Sequence, residues 1–292
     1  MAMRDDFCAF ILTHGRPDRV HTYTTLKRAG YTGRVYIVID DEDKAADEYR
    51  QRYGDKVLLF CKKDVAGRID EGDNFNDRRA IIYARNACWA LARQVGCKYF
   101  IQLDDDYTHF GTRFGPGGKV YTSRVLQRLD DVLSETVEYY KTTPFLTLAF
   151  AQGADFMGGP LNKGMRILRK AMNTFICSTD RPFLFFGRVN EDVNTYVTLA
   201  RAGLLLGTLT NCYIVQLPTQ SNAGGMADMY LDSGTYIKTF YSVMYAPSSV
   251  KVSLLGDPGK HGSTRAHYRI HHMVNWNVTA PKILREEHRK PR

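Results

Sequence analysis

A chain of 292 residues with 44% hydrophobic composition has enough apolar mass for one large α/β domain or two small ones. Its net charge of +9 points to anionic partners: nucleic acid, anionic membranes or phosphorylated small molecules. Six scattered cysteines (Cys8, Cys61, Cys88, Cys97, Cys177 and Cys212) form no CxxC pair, which suits free thiols in a reducing cytosol better than a disulfide frame. No apolar run approaches the roughly 18 residues of a membrane span, and the short one near the start is too brief for a signal peptide. With no linker, repeat or low-complexity stretch, one domain over residues 1–292 is expected, cytoplasmic, without membrane contact or an obligate protein partner.

In chain order, the apolar run 7–12 predicts a buried strand that ends in the polar turn Thr13-His14-Gly15-Arg16-Pro17. A helix over 18–28 follows, punctuated by Gly30 and Gly33. Residues 34–39 read as a second strand running into Asp40-Asp41-Glu42-Asp43, then a helix over 43–53 and a third strand over 57–61. Ile81, Ala84, Cys88, Leu91, Ala92 and Val95 recur at helical spacing and predict a helix over 80–95 that Gly96 stops. A fourth strand over 98–103 runs directly into Asp104-Asp105-Asp106. Strands alternating with helices predict a mainly parallel sheet covered on both faces. Ligands of such sheets bind beyond the carboxyl ends of the strands, where three of the polar clusters fall. No GxGxxG or GxxxxGK[ST] follows any strand, which excludes the dinucleotide and P-loop readings.

Three adjacent carboxylates repel one another unless a cation neutralises them. Hard oxygen ligands suit Mg²⁺ or Mn²⁺, which take one or two carboxylates plus the phosphates of a nucleotide. Asp-x-Asp spacing sends the outer side chains to one side of an extended backbone. Asp106 is therefore the candidate for direct ligation, and Asp104 for the ribose or the metal through water, with Asp105 in the same nucleotide-sugar site; the plainer alternative is a solvated acidic turn. Thr13, His14, Gly15, Arg16 and Asp40 form the rest of that edge, and Arg85 is a candidate for bidentate binding of the diphosphate or an ordinary surface arginine. A metal on a diphosphate orients the sugar–phosphate bond and stabilises the leaving group, which implies glycosyl transfer or a related pyrophosphate chemistry.

Glu191-Asp192 opens a helix predicted over 193–201 and serves either as a cap or as a general base, Asp192 first and Glu191 second. The loop carrying Gln220, Asn222 and Gly224, after a strand expected over 211–217, lets the backbone approach a sugar or base closely, or is simply a turn. His267, Arg269 and His271 share one face of a strand, so His271 or His267 is a candidate to complete the metal sphere.

The arrangement resembles the GT-A glycosyltransferases over roughly residues 7–275: a THGRP-like turn after strand one, an acid after strand two, a strand–DxD corner and a Glu-Asp pair before a helix. The resemblance implies a GT-A-like (Rossmann-like), mostly parallel central sheet flanked by helices in a single domain. Residues 1–110 would bind the nucleotide-sugar, 111–275 the acceptor, and 276–292 form a basic tail. It also implies that Asp40 contacts uracil or ribose and that Asp104 and Asp106 serve nucleotide and metal. More narrowly, LDDDY at 103–107, FGRVNEDVNTYV at 186–197, the TQSNAGG loop and the histidine-rich end before NWNVTAPKIL resemble the TET/JBP-associated, base J glucosyltransferase-like enzymes of phages and kinetoplastids. That likeness implies Mn²⁺- or Mg²⁺-dependent transfer from a UDP-sugar to the hydroxyl of a hydroxymethylated pyrimidine in DNA, such as 5-hydroxymethylcytosine. The setting would be phage DNA hypermodification in the host cytoplasm, with Arg113 and Lys119 in a loop that covers the site or contacts DNA. Other readings are a cytosolic GT-A enzyme acting on a glycan or small metabolite, a non-catalytic nucleic-acid-binding relative, and a nucleotidyltransferase. The complete carboxylate set argues against the second, and the poor match of THGRP to a glycine-rich basic loop argues against the third.

Overall fold

Phe7–Leu12 offers no polar side chain to either face, and it forms the strand β1, buried along its whole length. The computed structural model describes residues 2–113, 124–152, 165–217, 229–230, 234, 236–257 and 267–279. In it β1 pairs in parallel with β2 (Arg34–Asp40), which β3 (Val57–Phe60) extends, and with β4 (Tyr99–Asp104) on its other side. The strands β5 (Tyr107–Thr112), β6 (Arg124–Val125), β7 (Phe145–Gln152), β8 (Met165–Arg166), β9 (Phe175–Ser178) and β10 (Leu205–Gln216) complete one ten-stranded sheet ordered β3-β2-β1-β4-β9-β7-β10-β5-β6, with β8 on β10. The expected α/β class and mostly parallel sheet are what the chain adopts, with β9, β5 and β8 running against their neighbours.

Alternate residues of β1 feed two cores. Phe7, Ala9 and Ile11 pack with Leu26 of α1 (His21–Arg28), Tyr49 of α2 (Ala46–Tyr53) and, past the short α3 (Lys62–Ala66) and α4 (Ile82–Gln94), with Leu133 of α5 (Leu129–Lys141). Cys8, Phe10 and Leu12 pack on the other face against Cys88 and Leu91 of α4 and Val193 and Val197 of α6 (Glu191–Arg201). Each fully buried Leu or Phe contributes roughly 1.5–3 kcal/mol. A separate hairpin of β11 (Val250–Asp257) and β12 (His267–Val274) lies beside α7 (Ile237–Tyr245), and α8 (Trp276–Thr279) follows it. Among the described residues no helix is long and apolar enough to cross a membrane.

Several boundaries differ from expectation for local reasons. The first helix starts at His21, not at 18, because Arg19 N–H bonds back to the Arg16 carbonyl at 3.0 Å and closes a turn of its own. The second starts at Ala46 because the Asp43 carboxylate takes the Ala45 N–H at 2.9 Å. Glu191 and Asp192 lie inside the first turn of α6, and the strand expected over 211–217 runs from Leu205 to Gln216.

The turn from β4 into β5 is buried, so its backbone groups need partners. Two threonines of α1, three residues apart on one helix face, supply them. Thr22 donates its N–H to the Asp105 carbonyl (3.0 Å) and its Oγ1–H to the Asp104 carbonyl (2.6 Å), and accepts from Tyr107 N–H (2.9 Å). Thr25 Oγ1 donates to the Tyr107 carbonyl at 2.8 Å. Thr22→Val keeps the shape and strands one donor and one acceptor, so urea unfolding should show a loss of about 1–3 kcal/mol. A change below about 0.5 kcal/mol, the size of an ordinary surface substitution, would show that α1 does not hold the corner.

Candidate active site

The parallel strands β3, β2, β1 and β4 all end at one edge, which gathers the polar turns that follow them. In the turn after β1, Thr13 Oγ1 donates to Asp105 Oδ2 at 2.6 Å, so the Tyr49 hydroxyl donates to Thr13 at 2.9 Å. Gly15 holds φ +70° in open space and gives its N–H to Asp43 Oδ2 at 2.8 Å; its glycine answers a conformational need, not a steric one. Arg16 donates N–H to Tyr49 Oη (3.0 Å) and Nε–H to Asp105 Oδ2 (2.6 Å). Asp105 is thus turned inward, 1% exposed, and positions the turn; it is not open to a nucleotide as the sequence suggested.

Asp40 is likewise enclosed. His14 Nδ1–H donates to it at 2.8 Å and the Lys62 ammonium lies 3.2 Å away, with Lys62 buried at the start of α3. Burial alone would raise the Asp40 pKa, but His14 and Lys62 outweigh it and hold the carboxyl below its ordinary value. The hydrogen bond to Asp40 raises the His14 pKa against the opposing effect of burial. His14, with a side chain 41% exposed, is the accessible member of this group, and Asp40 stands behind it.

Arg85 does not reach out to a diphosphate. It is 2% exposed in the first turn of α4, where Nη2–H donates to Asp104 Oδ1 (2.9 Å) and Nε–H to Glu191 Oε1 (2.8 Å). Its guanidinium lies 5.0 Å from the Phe175 ring centroid and 5.7 Å from that of Phe185. A buried guanidinium needs such partners, because unpaired it would cost several kcal/mol (about 3–5). The arginine therefore brings the end of β4 and the start of α6 to one place.

That arrangement leaves Asp106 as the odd carboxylate. Burial, then the charges of Asp104 and Asp105, raise its pKa to about 7 against the pull of Arg16. Burial raises Asp104 to about 6 despite Arg85. Asp106 Oδ1 is buried with no hydrogen-bond partner among the described residues. An orphaned carboxylate oxygen beside two further carboxylates fits a hard divalent cation, which Asp106 could ligate directly with Asp104 beside it. Among the described residues no three His, Cys, Asp or Glu side chains converge on a common point.

At the α6 corner Glu191 belongs to Arg85, whereas Asp192, among the described residues, accepts only its neighbour's N–H (Val193, 2.7 Å) in a buried setting that raises its pKa. Asn190 precedes them in a left-handed conformation (φ 62°) and donates Nδ2–H to Ser242 Oγ at 2.6 Å. The same amide faces His272 Nδ1 at 3.5 Å. His272, which sequence reasoning passed over, is the buried histidine of β12; burial lowers its pKa to about 3, and its Nε2 has no partner among the described residues. His271 packs against it with ring centroids 4.3 Å apart and the rings tilted by 33°, and the His267 side chain lies outside the described residues.

Behind this corner Arg188 is buried against Asp73 (Nη2–Oδ2 2.8 Å) and Asp77 (3.3 Å), with Tyr241 also bonding Asp73. The segment 70–79, rich in charged and amide side chains, is thereby tied to the approach to α6. Of the expected acceptor residues, Arg113 lies at the end of β5 with its guanidinium 4.8 Å from the Tyr213 ring centroid. Lys119, Gln220, Asn222 and Gly224 lie outside the described residues.

Residues 7–225, which include the turn after β1, the triple aspartate and the Glu191-Asp192 pair, match the TET-Associated Glycosyltransferase family. The chain belongs to that family. Comparison with curated proteins finds no match. Among solved structures, the TET-associated glycosyltransferase chain is similar to Staphylococcus aureus TarS 1–349 at 13% identity and a TM-score of 0.41, over 71% of this chain and 60% of that one. It is also similar to glucosyl-3-phosphoglycerate synthase from Mycobacterium tuberculosis, solved with Mn²⁺, UDP and phosphoglyceric acid, at 10% identity and a TM-score of 0.45, over 92% of this chain and 87% of that one.

The raised carboxyls set a pH dependence. Between about pH 4 and pH 7 the folded protein keeps protons on Asp104 and Asp106 that the unfolded chain has released, so metal-free stability falls as pH rises through that window. A divalent cation competes for the same oxygens. Mn²⁺ should therefore raise Tm clearly at pH 8 and little at pH 5, and Asp106→Asn should remove most of the shift. An equal shift in the variant would put the cation elsewhere.

Proposed function

We propose that this TET-associated glycosyltransferase moves a sugar from a UDP-sugar to the hydroxymethyl oxygen of a modified pyrimidine, such as 5-hydroxymethylcytosine, in DNA. The observation that carries the reading is the Arg85 bridge, which sets the carboxylate corner of β4 next to the buried pair at the start of α6. The ring of His14, its side chain 41% exposed and backed by Asp40 and Lys62, would meet the nucleoside of the donor. Arg16, 19% exposed and charged, is available to the diphosphate beside Asp106. Mn²⁺ or Mg²⁺ on Asp106 would neutralise charge on the departing diphosphate.

Asp192 supplies the base. Its raised pKa brings it nearer to neutral pH, where proton transfer from a hydroxyl is most effective. The acceptor oxygen forms the new bond to the sugar's anomeric carbon, the bond from that carbon to the β-phosphate oxygen breaks with its electron pair going to UDP, and the hydroxyl proton passes to Asp192. Glu191, held by Arg85, fixes the first turn of α6 and so the direction of its neighbour. The family's TET-associated description and the net charge of +9 both favour a DNA acceptor over a neutral one. A base in a duplex must be turned outward to meet Asp192.

Incubation with Mn²⁺, DNA containing 5-hydroxymethylcytosine and a panel of UDP-sugars, read by nucleoside mass spectrometry, tests the proposal. The expected result is a pentose or hexose mass on the modified nucleoside, absent with Asp192→Asn and Asp106→Ala. Slow hydrolysis of the UDP-sugar with no mass added to DNA would move the acceptor to a glycan or metabolite.

A further inference from the structure

The hairpin of β11 and β12 presents an apolar face to solvent. Its register pairs Val252 with His272, Leu254 with Ile270 and Gly256 with Tyr268, so the side chains of Val252, Leu254, Tyr268, Ile270 and His272 share one face. At the inner end of that face His272 is buried against Asn190, next to the Glu191-Asp192 pair. Outward from it the face is bare: Val252 is 50% exposed, Leu254 65%, Ile270 40% and Tyr268 69%. A contiguous apolar surface of this kind marks an interaction site.

Two lysines flank the α6 corner. Lys238 of α7 offers its carbonyl to Asn190 Nδ2 at 3.5 Å, Lys170 offers its own to Thr208 Oγ1 of β10, and both charges act on Asp192 and on His272. Lys238 also lies over the Tyr230 ring, 4.2 Å from its centroid. An aromatic and aliphatic wall beside paired lysines matches an occupant that has flat apolar faces and negative charges between them. A strand of nucleic acid has both; a neutral glycan lacks the charge. A second copy of the chain would bring another +9 and be repelled.

We propose that the β11–β12 face is the acceptor wall: unpaired bases flanking the target nucleotide stack on Tyr268, Leu254 and Ile270, while Lys170 and Lys238 take the adjoining phosphates. This rests on the DNA reading above and adds to it a single-strand requirement next to the target. Stacking on an aromatic side chain is sequence-tolerant, so the wall binds unmodified DNA as well.

Fluorescence anisotropy with a short, unmodified single-stranded oligonucleotide tests it without catalysis. Tyr268→Ala should weaken binding between roughly fivefold and a hundredfold, whereas Tyr268→Phe should bind as the unaltered protein does. The double variant Lys170→Gln/Lys238→Gln should lower the slope of log affinity against log salt by about two. Binding unchanged in Tyr268→Ala and in the lysine double variant overturns the wall and leaves the DNA acceptor standing. An unaltered protein that binds no DNA at low salt overturns the DNA reading and the wall with it. Sedimentation showing a dimer that Tyr268→Ala dissociates assigns the face to a second copy and overturns the wall.

Discussion

The guanidinium of Arg85 is the point to which the rest of the molecule is built. It comes from α4, and its partners come from the end of β4, the first turn of α6, β9 and the loop carrying Phe185. A buried positive charge tolerates little displacement, since losing either carboxylate leaves it uncompensated. Its demand for two anions fixes Asp104 against Glu191 although 87 positions of sequence separate them (191 − 104). Asp105 meets a comparable demand from Arg16. Each acidic cluster thus commits members to structure and leaves one aside. Asp106 and Asp192 are the ones left, and burial raises the pKa of both. Groups whose ionisation is held off by burial, without a fixed partner, are suited to bind a cation or a proton that arrives with substrate.

Around α6 a second set of contacts keeps that corner in place. Gly187 holds φ +77°, and a Cβ there would lie 2.4 Å from Asn194 Nδ2. The tight approach lets Asn194 Nδ2 donate to the carbonyls of Phe186 (3.1 Å) and Val189 (2.9 Å). Asn190 then takes the left-handed conformation that a short amide side chain tolerates better than a bulky one. Ser242 of α7 receives from Asn190 and donates to Asn194 Oδ1 at 2.9 Å, so α7 is locked to both. The start of α6 is therefore directed by backbone geometry and amide hydrogen bonds, with no side-chain cap.

Much of this was legible in the sequence because it lay in local pattern. Continuous apolar runs announced β1, β2 and β4, and the polar residues after them fell at one edge because parallel strands share a direction. Direction inward or outward was harder to read. In DDD the strand period says that Asp104 and Asp106 share a side, but not that Asp105 is consumed by Arg16 and Thr13. Likewise HYRIHH puts His267 with His271 and Ile270 with His272, and only the packing against Asn190 makes His272 the buried one. Arg85 and Arg188 look like surface arginines in a one-dimensional reading, since Glu191 and Asp73, which they bind, are 106 and 115 positions away. Lys62 carried a faint signal, a lysine pair directly after a strand ending at the same edge as Asp40. The insertion of β9 between β4 and β7 had none, because strand order beyond sequential neighbours is a tertiary outcome.

A double-mutant cycle between Arg85→Met and Glu191→Gln, read by denaturant unfolding, tests most directly whether this bridge joins the two corners. If it does, either single change leaves a buried group without its partner, and the pair of changes together costs less than their sum by about 0.5–3 kcal/mol. Costs that add to within about 0.3–0.5 kcal/mol would mean that Arg85 and Glu191 do not act on one another, and the β4 and α6 corners would then be held together by something else.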